Sequence, residues 1–490
     1  MSSQTSDIQA RVQEPTAKGL TLGPLTALVV GSMIGAGIFG LPSQMAGSAA
    51  PGPLLLGWLI TGVGMLALAL VFQRLANARP DVEGGVYGYA RAGFGDYVGY
   101  TSAWGYWISA WIGNVSYFVL LFATLGTFFP VFGQGNTMPA ILAASIALWV
   151  VHALVLRGVQ GATVVNLVVT IAKVVPLLLF IVVALFAFKA GIFTQDFWGR
   201  VTTISSDGSD AGLGSTMDQV RNMMLVTVWV FIGIEGASVY STRAARRSDV
   251  GRATVIGFLG VLALLLAVNV LAYGAMPQSD IAALDDPSLA GVMRHIVGPW
   301  GTTFISIGLM ISLVGAFLAW VLLCAEILAI PARDRVLPAW LGTVNAKGTP
   351  TGALWLTNLC IQVMLVWTYF NASTYTNLVL LASSLVLLPY LWSASYALIV
   401  ALREERSARL AALAPAVVAT VYAVWLVYAG GLQYLLVAAL AYLIGTAFYV
   451  YAKRSAGQSP FTAKDLPALI VVALGSIAAV IGFANGSLRL

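Results

Sequence analysis

Polar and apolar positions along this chain are gathered in blocks. Apolar runs of about 20 residues, the length that crosses a hydrocarbon layer ~30 Å thick as an α-helix, follow one another with polar connections between them. The runs lack the period-two alternation that a membrane β-barrel requires, so each predicts a helix. Thirteen spans result, at 22–47, 51–74, 96–130, 138–156, 161–188, 218–242, 252–276, 299–331, 351–371, 374–402, 411–429, 431–453 and 465–487. Several exceed about 25 residues and must tilt, bend or project beyond the bilayer.

Composition makes the same point from another side. Hydrophobic residues are 59% of the chain and charged ones 9%, against about 25% charged in a soluble domain. Such a chain belongs in lipid, where backbone polar groups must be satisfied within helices or closed barrels. The first 20 residues are polar and mixed in charge, lack the apolar core of a signal peptide, and predict no cleavage. Cys324 and Cys360 both lie inside spans, which excludes a disulfide framework and leaves two soft apolar side chains. His152 and His295 are far apart, and no metal or nucleophile constellation appears. An enzyme and a bound cofactor or metal are therefore not expected.

The net charge of +6 does not point to nucleic acid, because the bases are sorted by side. With the N-terminus inside, nineteen of the 25 Lys and Arg fall in inner segments and five in outer ones, and Lys173 stays within a span. That bias predicts a cytoplasmic N-terminus in the cell (inner) membrane, and an odd span count places the C-terminus outside. Asp196, Asp207, Asp210, Asp218, Asp280, Asp285 and Asp286 leave the outer face slightly negative, which would favour an approaching cation or simply solvate the long loops.

Two spans carry interruptions. Span 22–47 contains Gly31-Ser32-Met33-Ile34-Gly35-Ala36-Gly37-Ile38-Phe39-Gly40-Leu41-Pro42. Its Gly-x-Gly-x-x-Gly is not a dinucleotide fingerprint, which needs a preceding strand. Close helix packing or local unwinding would each use such glycines, since Gly costs a helix about 1 kcal/mol relative to Ala. Span 218–242 has the same feature at Phe231-Ile232-Gly233-Ile234-Glu235-Gly236. The two spans correspond if five helices repeat in inverted topology, and paired interruptions of that kind mark a transporter binding site. Unwound turns free N–H groups for a carboxylate and carbonyls for an ammonium; an amino acid presents both.

At these motifs the sequence resembles the amino acid–polyamine–organocation superfamily, and within it the basic amino acid/polyamine antiporters. The resemblance covers 20–402 and rests on Gly35–Pro42, on Gly84-Gly85-Val86-Tyr87-Gly88-Tyr89-Ala90-Arg91, on Trp111-Ile112-Gly113-Asn114, on Phe231–Ser238 and on Asn345-Ala346-Lys347-Gly348-Thr349-Pro350. A thirteenth span is similar to the arginine/ornithine antiporters of that family. The resemblance implies a helical, LeuT-like fold: a tail at 1–21, a five-helix repeat at 22–190, an outer loop at 191–217, an inverted repeat at 218–402 and three further helices at 403–490. It implies alternating access without ATP, exchange of arginine for ornithine with lysine as a further solute, and room for a homodimer.

Residue roles follow from the match and from cost. Ile34, Gly35, Ala36, Gly37, Asn114, Trp229, Ile232, Gly233, Trp320 and Ser383 are the expected substrate contacts. A Trp face attracts guanidinium or ammonium by roughly 0.5–2 kcal/mol; the family stacks the first Trp on the substrate and uses the second as a middle gate. A buried amide such as Asn114 needs a partner, from substrate or a neighbouring helix. Glu235 and Glu326 are the acids inside spans and Lys173 the base; intramembrane charges are functional hypotheses by default. Glu235 resembles an inner-gate acid with Tyr106 and Tyr390 as partners. Lys173 would lie about 18 Å into the core, standing in for a sodium ion against carbonyls near Gly35. Glu326 would either screen a leaving cation or pair with Arg335, and Tyr87 joins these two as a coupling residue. Ala36 stands where arginine/agmatine exchangers have Ser, and a second such Ser aligns with Ala382 beside Ser383, which weighs against agmatine. Two other readings stay open: a proton-coupled amino acid uptake system with Lys173 as proton carrier, and an amino-acid-binding membrane sensor.

Overall fold

Prolines and glycines punctuate the apolar runs where helices begin and break. The computed structural model describes residues 21–158, 163–201, 203–206, 209–235, 246–371 and 374–488; the tail at 1–20 and residues 236–242 of span 218–242 lie outside them. The chain starts with α1 (Leu22–Met33), a 3-10 turn (Ala36–Phe39) and α2 (Leu41–Ala46). There follow α3 (Pro51–Ala78), α4 (Val86–Phe94), α5 (Asp96–Gly126), α6 (Met138–Leu156), α7 (Thr163–Ala187) and α8 (Ala190–Thr194). The chain continues with α9 (Thr216–Trp229), α10 (Arg247–Ala275), α11 (Gln278–Ala282), α12 (Ser288–Val297) and α13 (Pro299–Arg333). It ends with α14 (Thr351–Phe370), α15 (Tyr375–Leu402), α16 (Arg406–Ala429), α17 (Gly431–Ser455) and α18 (Leu466–Ala484). Pro51 and Pro299 open their helices, where a missing N–H removes no ladder bond.

Ten of these helices are long and apolar enough to cross a membrane, counted among the described residues. This is a multi-pass membrane protein. Of the other three predicted spans, 161–188 holds the single 25-residue helix α7, 22–47 is cut at Ile34–Gly35, and the helix of 218–242 stops at Trp229. Among the described residues the two strands form a hairpin, β1 (Thr203–Ser206) antiparallel to β2 (Ser209–Gly212), in the polar loop before α9. Two of the acids expected on the outer face have local work there. Asp196 accepts the N–H groups of Arg200 and Val201, and Asp218 closes a capping box with Ser215.

α5 lies at the centre: 83% of its apolar window is buried, against 22% for the peripheral α18. It packs against α13, α15 and the amphipathic α4. Large apolar side chains such as Val363, Phe370 and Val471 point outward, as expected where lipid is the solvent. Close approach of α5 to α15 and α17 depends on glycine. A Cβ on Gly105 would sit 2.1 Å from the Tyr442 hydroxyl and 2.9 Å from the Leu385 carbonyl. Overpacking of that kind costs roughly 1–3 kcal/mol. Gly105→Ala is therefore expected to lower the thermal midpoint of the detergent-solubilised protein by several degrees. Gly260→Ala, where nothing lies within 4 Å, should not. Equal midpoints for the two variants would refute the close-packing argument.

Candidate functional site

The two interruptions open onto one cavity. α1 ends as Ile34 and Gly35 turn extended, with ψ of 94° and −172°, before the 3-10 turn begins. The N–H groups of Gly35, Ala36 and Gly37 have no acceptor among the described residues. After Trp229 the chain continues as turns through 230–235, with Gly233 at φ 106°, a left-handed conformation in which a Cβ is strained. A cavity of about 670 Å³ is lined by Ile34, Gly35, Gly37, Trp229, Ile232, Gly233, Glu235 and the inner faces of α5 and α13. It runs toward the Lys/Arg-rich loops, reaching Gly84–Tyr87 at the start of α4 and Ile330–Pro331 near the end of α13.

Trp229 closes the other end. Its indole is only 8% exposed and fits because two neighbours lack side chains. A Cβ on Gly37 would be 2.7 Å from the indole, and one on Gly113 3.0 Å away. Tyr117 faces it at 6.0 Å between ring centres, and its Nε1–H donates to the Tyr375 hydroxyl at 3.1 Å. The Ile-Gly-Asn motif thus serves first through its glycine.

Glu235 is held rather than free. It accepts hydrogen bonds from the Tyr106 hydroxyl, from the Tyr390 hydroxyl at 2.8 Å and from the Gly233 N–H at 3.2 Å. A carboxylate inside a membrane protein needs such donors, because a buried unpaired charge is prohibitively costly. The same contacts tie α5 and α15 to the broken turn.

The remaining expected residues separate into two groups. Lys173, Trp320, Glu326 and Tyr87 line the cavity with the break residues. Lys173 is 9% exposed, and its ammonium makes no hydrogen bond or ion pair among the described residues, with carbonyls near Gly35 or otherwise. Glu326 is exposed to the cavity and does not pair with Arg335. Tyr87 donates to Asp334 at 2.8 Å, and Asp334 also pairs with Arg91, which bridges to Asp96 and through it to Lys453 of α17. Ala36, Asn114, Ser383 and Tyr390 do not line the cavity. Asn114 is fully buried with its Nδ2 toward the Cys324 sulfur at 3.5 Å and its Oδ1 unpartnered; the Ser383 hydroxyl donates to the Val379 carbonyl within α15. Tyr117, Tyr375 and Gly113 were not singled out as site residues from the sequence. Nothing local marks them, since each matters through what it meets across helices.

Apolar helices around a cavity at two interrupted helices define a membrane transport protein. A family model for amino acid permeases matches residues 20–479, and the chain belongs to that family. It is 55% identical to the arginine/ornithine antiporter of Pseudomonas aeruginosa, over 98% of this chain and 100% of that one. It is 42% identical to the L-lysine transport protein of Corynebacterium glutamicum across all of both chains, and 38% identical to the arginine/agmatine antiporter of Chlamydia caviae over 96% and 98%.

Gly37 supplies the direct test of this geometry. A methyl group there must push the indole off its seat, so Gly37→Ala is expected to cut transport by about tenfold or more, the loss of a near-attack-like fit around a rigid ring. Gly31→Ala meets nothing within 4 Å and should keep transport within about twofold. Equal transport rates in the two variants, read in reconstituted vesicles, would disprove the packing role of Gly37.

Proposed function

We propose that the protein exchanges cationic amino acids across the cell membrane by alternating access, arginine inward against ornithine outward, with lysine as a further solute. The single observation that carries the reading is the meeting of both interrupted turns at one cavity that also holds Trp229 and Trp320. Free N–H groups at Gly35–Gly37 suit the α-carboxylate, and the two indoles suit a guanidinium or ammonium. The relatives named for arginine, ornithine and lysine support the substrate class. With the basic loops cytoplasmic and the C-terminus outside, the cavity faces inward and Trp229 seals the outer side. The five-plus-five reading, 22–190 and 218–402, is supported by the position of each break in the first helix of its repeat. The third helix of each, α5 with 31 residues and α13 with 35, is the longest of its half and packs on its counterpart. Helices at 403–490 complete thirteen spans; a homodimer remains compatible with their outward apolar faces.

Arginine and ornithine carry the same charge near neutral pH, so one-for-one exchange moves no net charge. Liposomes loaded with unlabelled ornithine should take up labelled arginine rapidly and empty ones should not. A current that reverses with imposed membrane potential during exchange would sink the one-for-one reading.

A second reading, proton-coupled uptake, draws on the unpartnered Lys173 facing the cavity. The two part on a single variant. If Lys173 is a fixed cation standing where a sodium ion would bind, wild-type exchange moves no protons and Lys173→Ala weakens transport at every pH. Stoichiometric proton movement that Lys173→Ala abolishes would establish the second reading instead.

A further inference from the structure

The seal above Trp229 contains a carboxylate that the closed state does not use. α2 is tied to the loop helices by neutral hydrogen bonds: Ser43 N–H to Ser288 Oγ at 3.1 Å, and Gln278 Nε2 to the carbonyls of Ala46 and Ala49 at 2.9 and 3.0 Å. Gln44 reaches Thr376 of α15 in the same way. At the centre of this contact lies Gly40. A Cβ there would be 2.8 Å from the Tyr375 ring and 2.9 Å from Asp286 Oδ1. Tyr375 is the residue that accepts the Trp229 N–H. Bare backbone at Gly40, the Tyr375 ring and the Asp286 carboxyl therefore form one plug directly over Trp229.

Asp286 is partly exposed as a residue, but its Oδ1 is sealed from solvent and has no hydrogen-bond partner among the described residues. Neither Asp286 nor Asp285 is in an ion pair among the described residues. Burial, with the charge of Asp285 beside it, pushes the Asp286 carboxyl up to about 7. The titratable groups that face it are Asp285 from its own loop and Tyr375 from α15. A neutral amide or hydroxyl would serve the closed plug better, since an acceptor buried without a donor costs about 1–3 kcal/mol. Asp196 and Asp218 do accept backbone N–H groups; Asp286 Oδ1 has no such use among the described residues.

We propose that Asp286 is an outer subsite for the cationic side chain of an arriving amino acid, a carboxylate uncovered when the Gly40 turn swings away from Tyr375. This rests on the reading of the protein as an exchanger of cationic amino acids. The chemistry matches on both sides. A guanidinium or ammonium gains a charge-assisted bond from the carboxylate and a π-face from Tyr375, with Trp229 one hydrogen bond deeper. As the solute moves inward past Trp229 and the plug closes, the carboxyl takes a proton from the outer solution, and it returns that proton to the same solution on reopening. No proton crosses the membrane in this step.

The test compares the two faces of the full-length protein. Uptake of labelled arginine is measured in right-side-out and inside-out membrane vesicles preloaded with ornithine. Asp286→Asn should raise KM for arginine about tenfold on the outer face only, the loss expected for one charged contact, and Asp286→Glu should recover part of it. An unchanged outer KM in Asp286→Asn overturns the subsite, and so does an equal rise on both faces, which marks a structural effect. Should the Asn variant fail to reach the membrane, Asp286→Thr removes the same charge and is judged by the same two outcomes. Absence of ornithine-dependent arginine uptake in the wild type would instead refute the transport reading on which the subsite depends.

Discussion

Everything in this molecule answers to one constraint: in hydrocarbon a backbone N–H or C=O must find a partner inside the protein. Uninterrupted helices meet it at no further cost. Where the ladder is broken, the freed groups must face protein, water or a solute. Among the described residues the chain breaks it within apolar segments at Ile34–Gly35 and at 230–235, and brings both breaks to one cavity. One freed N–H, that of Gly233, is answered by Glu235, which is fixed in turn by Tyr106 and Tyr390. Those of Gly35–Gly37 are left open toward the cavity side of the turn, where an amino acid carboxylate can supply what lipid cannot.

Glycine then decides which large side chains can lie against these turns. Gly37 and Gly113 leave the space that the Trp229 indole fills, and Gly40 admits Tyr375 and Asp286. The seal on that side is made of aromatic surface and neutral hydrogen bonds, contacts that can be exchanged for water at little net cost. The opposite end is braced differently. Arg91, Asp96, Asp334 and Lys453 link α4, α5, the end of α13 and α17 through charged contacts. The cavity opens toward this charged end while the neutral end is shut, and the neutral seal is the one that must be remade at each turnover.

The helical plan was legible because lipid imposes it residue by residue. Ten predicted spans and α7 in an eleventh are long helices, and the other two are cut at turns that carry glycine. The breaks themselves were legible in Gly35–Gly40 and Gly233, and so was the acid Glu235 inside an apolar span. Its tyrosine partners, 129 and 155 residues away, came only from the likeness to a family, since nothing about a tyrosine in an apolar span says which carboxylate it will meet. The side chains of Asn114 and Ser383 are turned toward Cys324 and the Val379 carbonyl, an orientation that residue type and helix position along the chain do not specify.

The sequence by itself determined the solvent, the helices, their sidedness of charge and the places where the backbone ladder gives way. Each of these is a local property: transfer free energy summed over about 20 residues, or the missing Cβ of a glycine. Only the tertiary structure decided that Trp229 is wedged between Gly37 and Gly113, that Lys173 and Glu326 face the cavity with no partner among the described residues, and that Asp286, along the chain one of several outer-loop acids, has an oxygen sealed under Gly40. Those outcomes depend on which helix faces meet, and a helix apolar on every side does not specify its rotation.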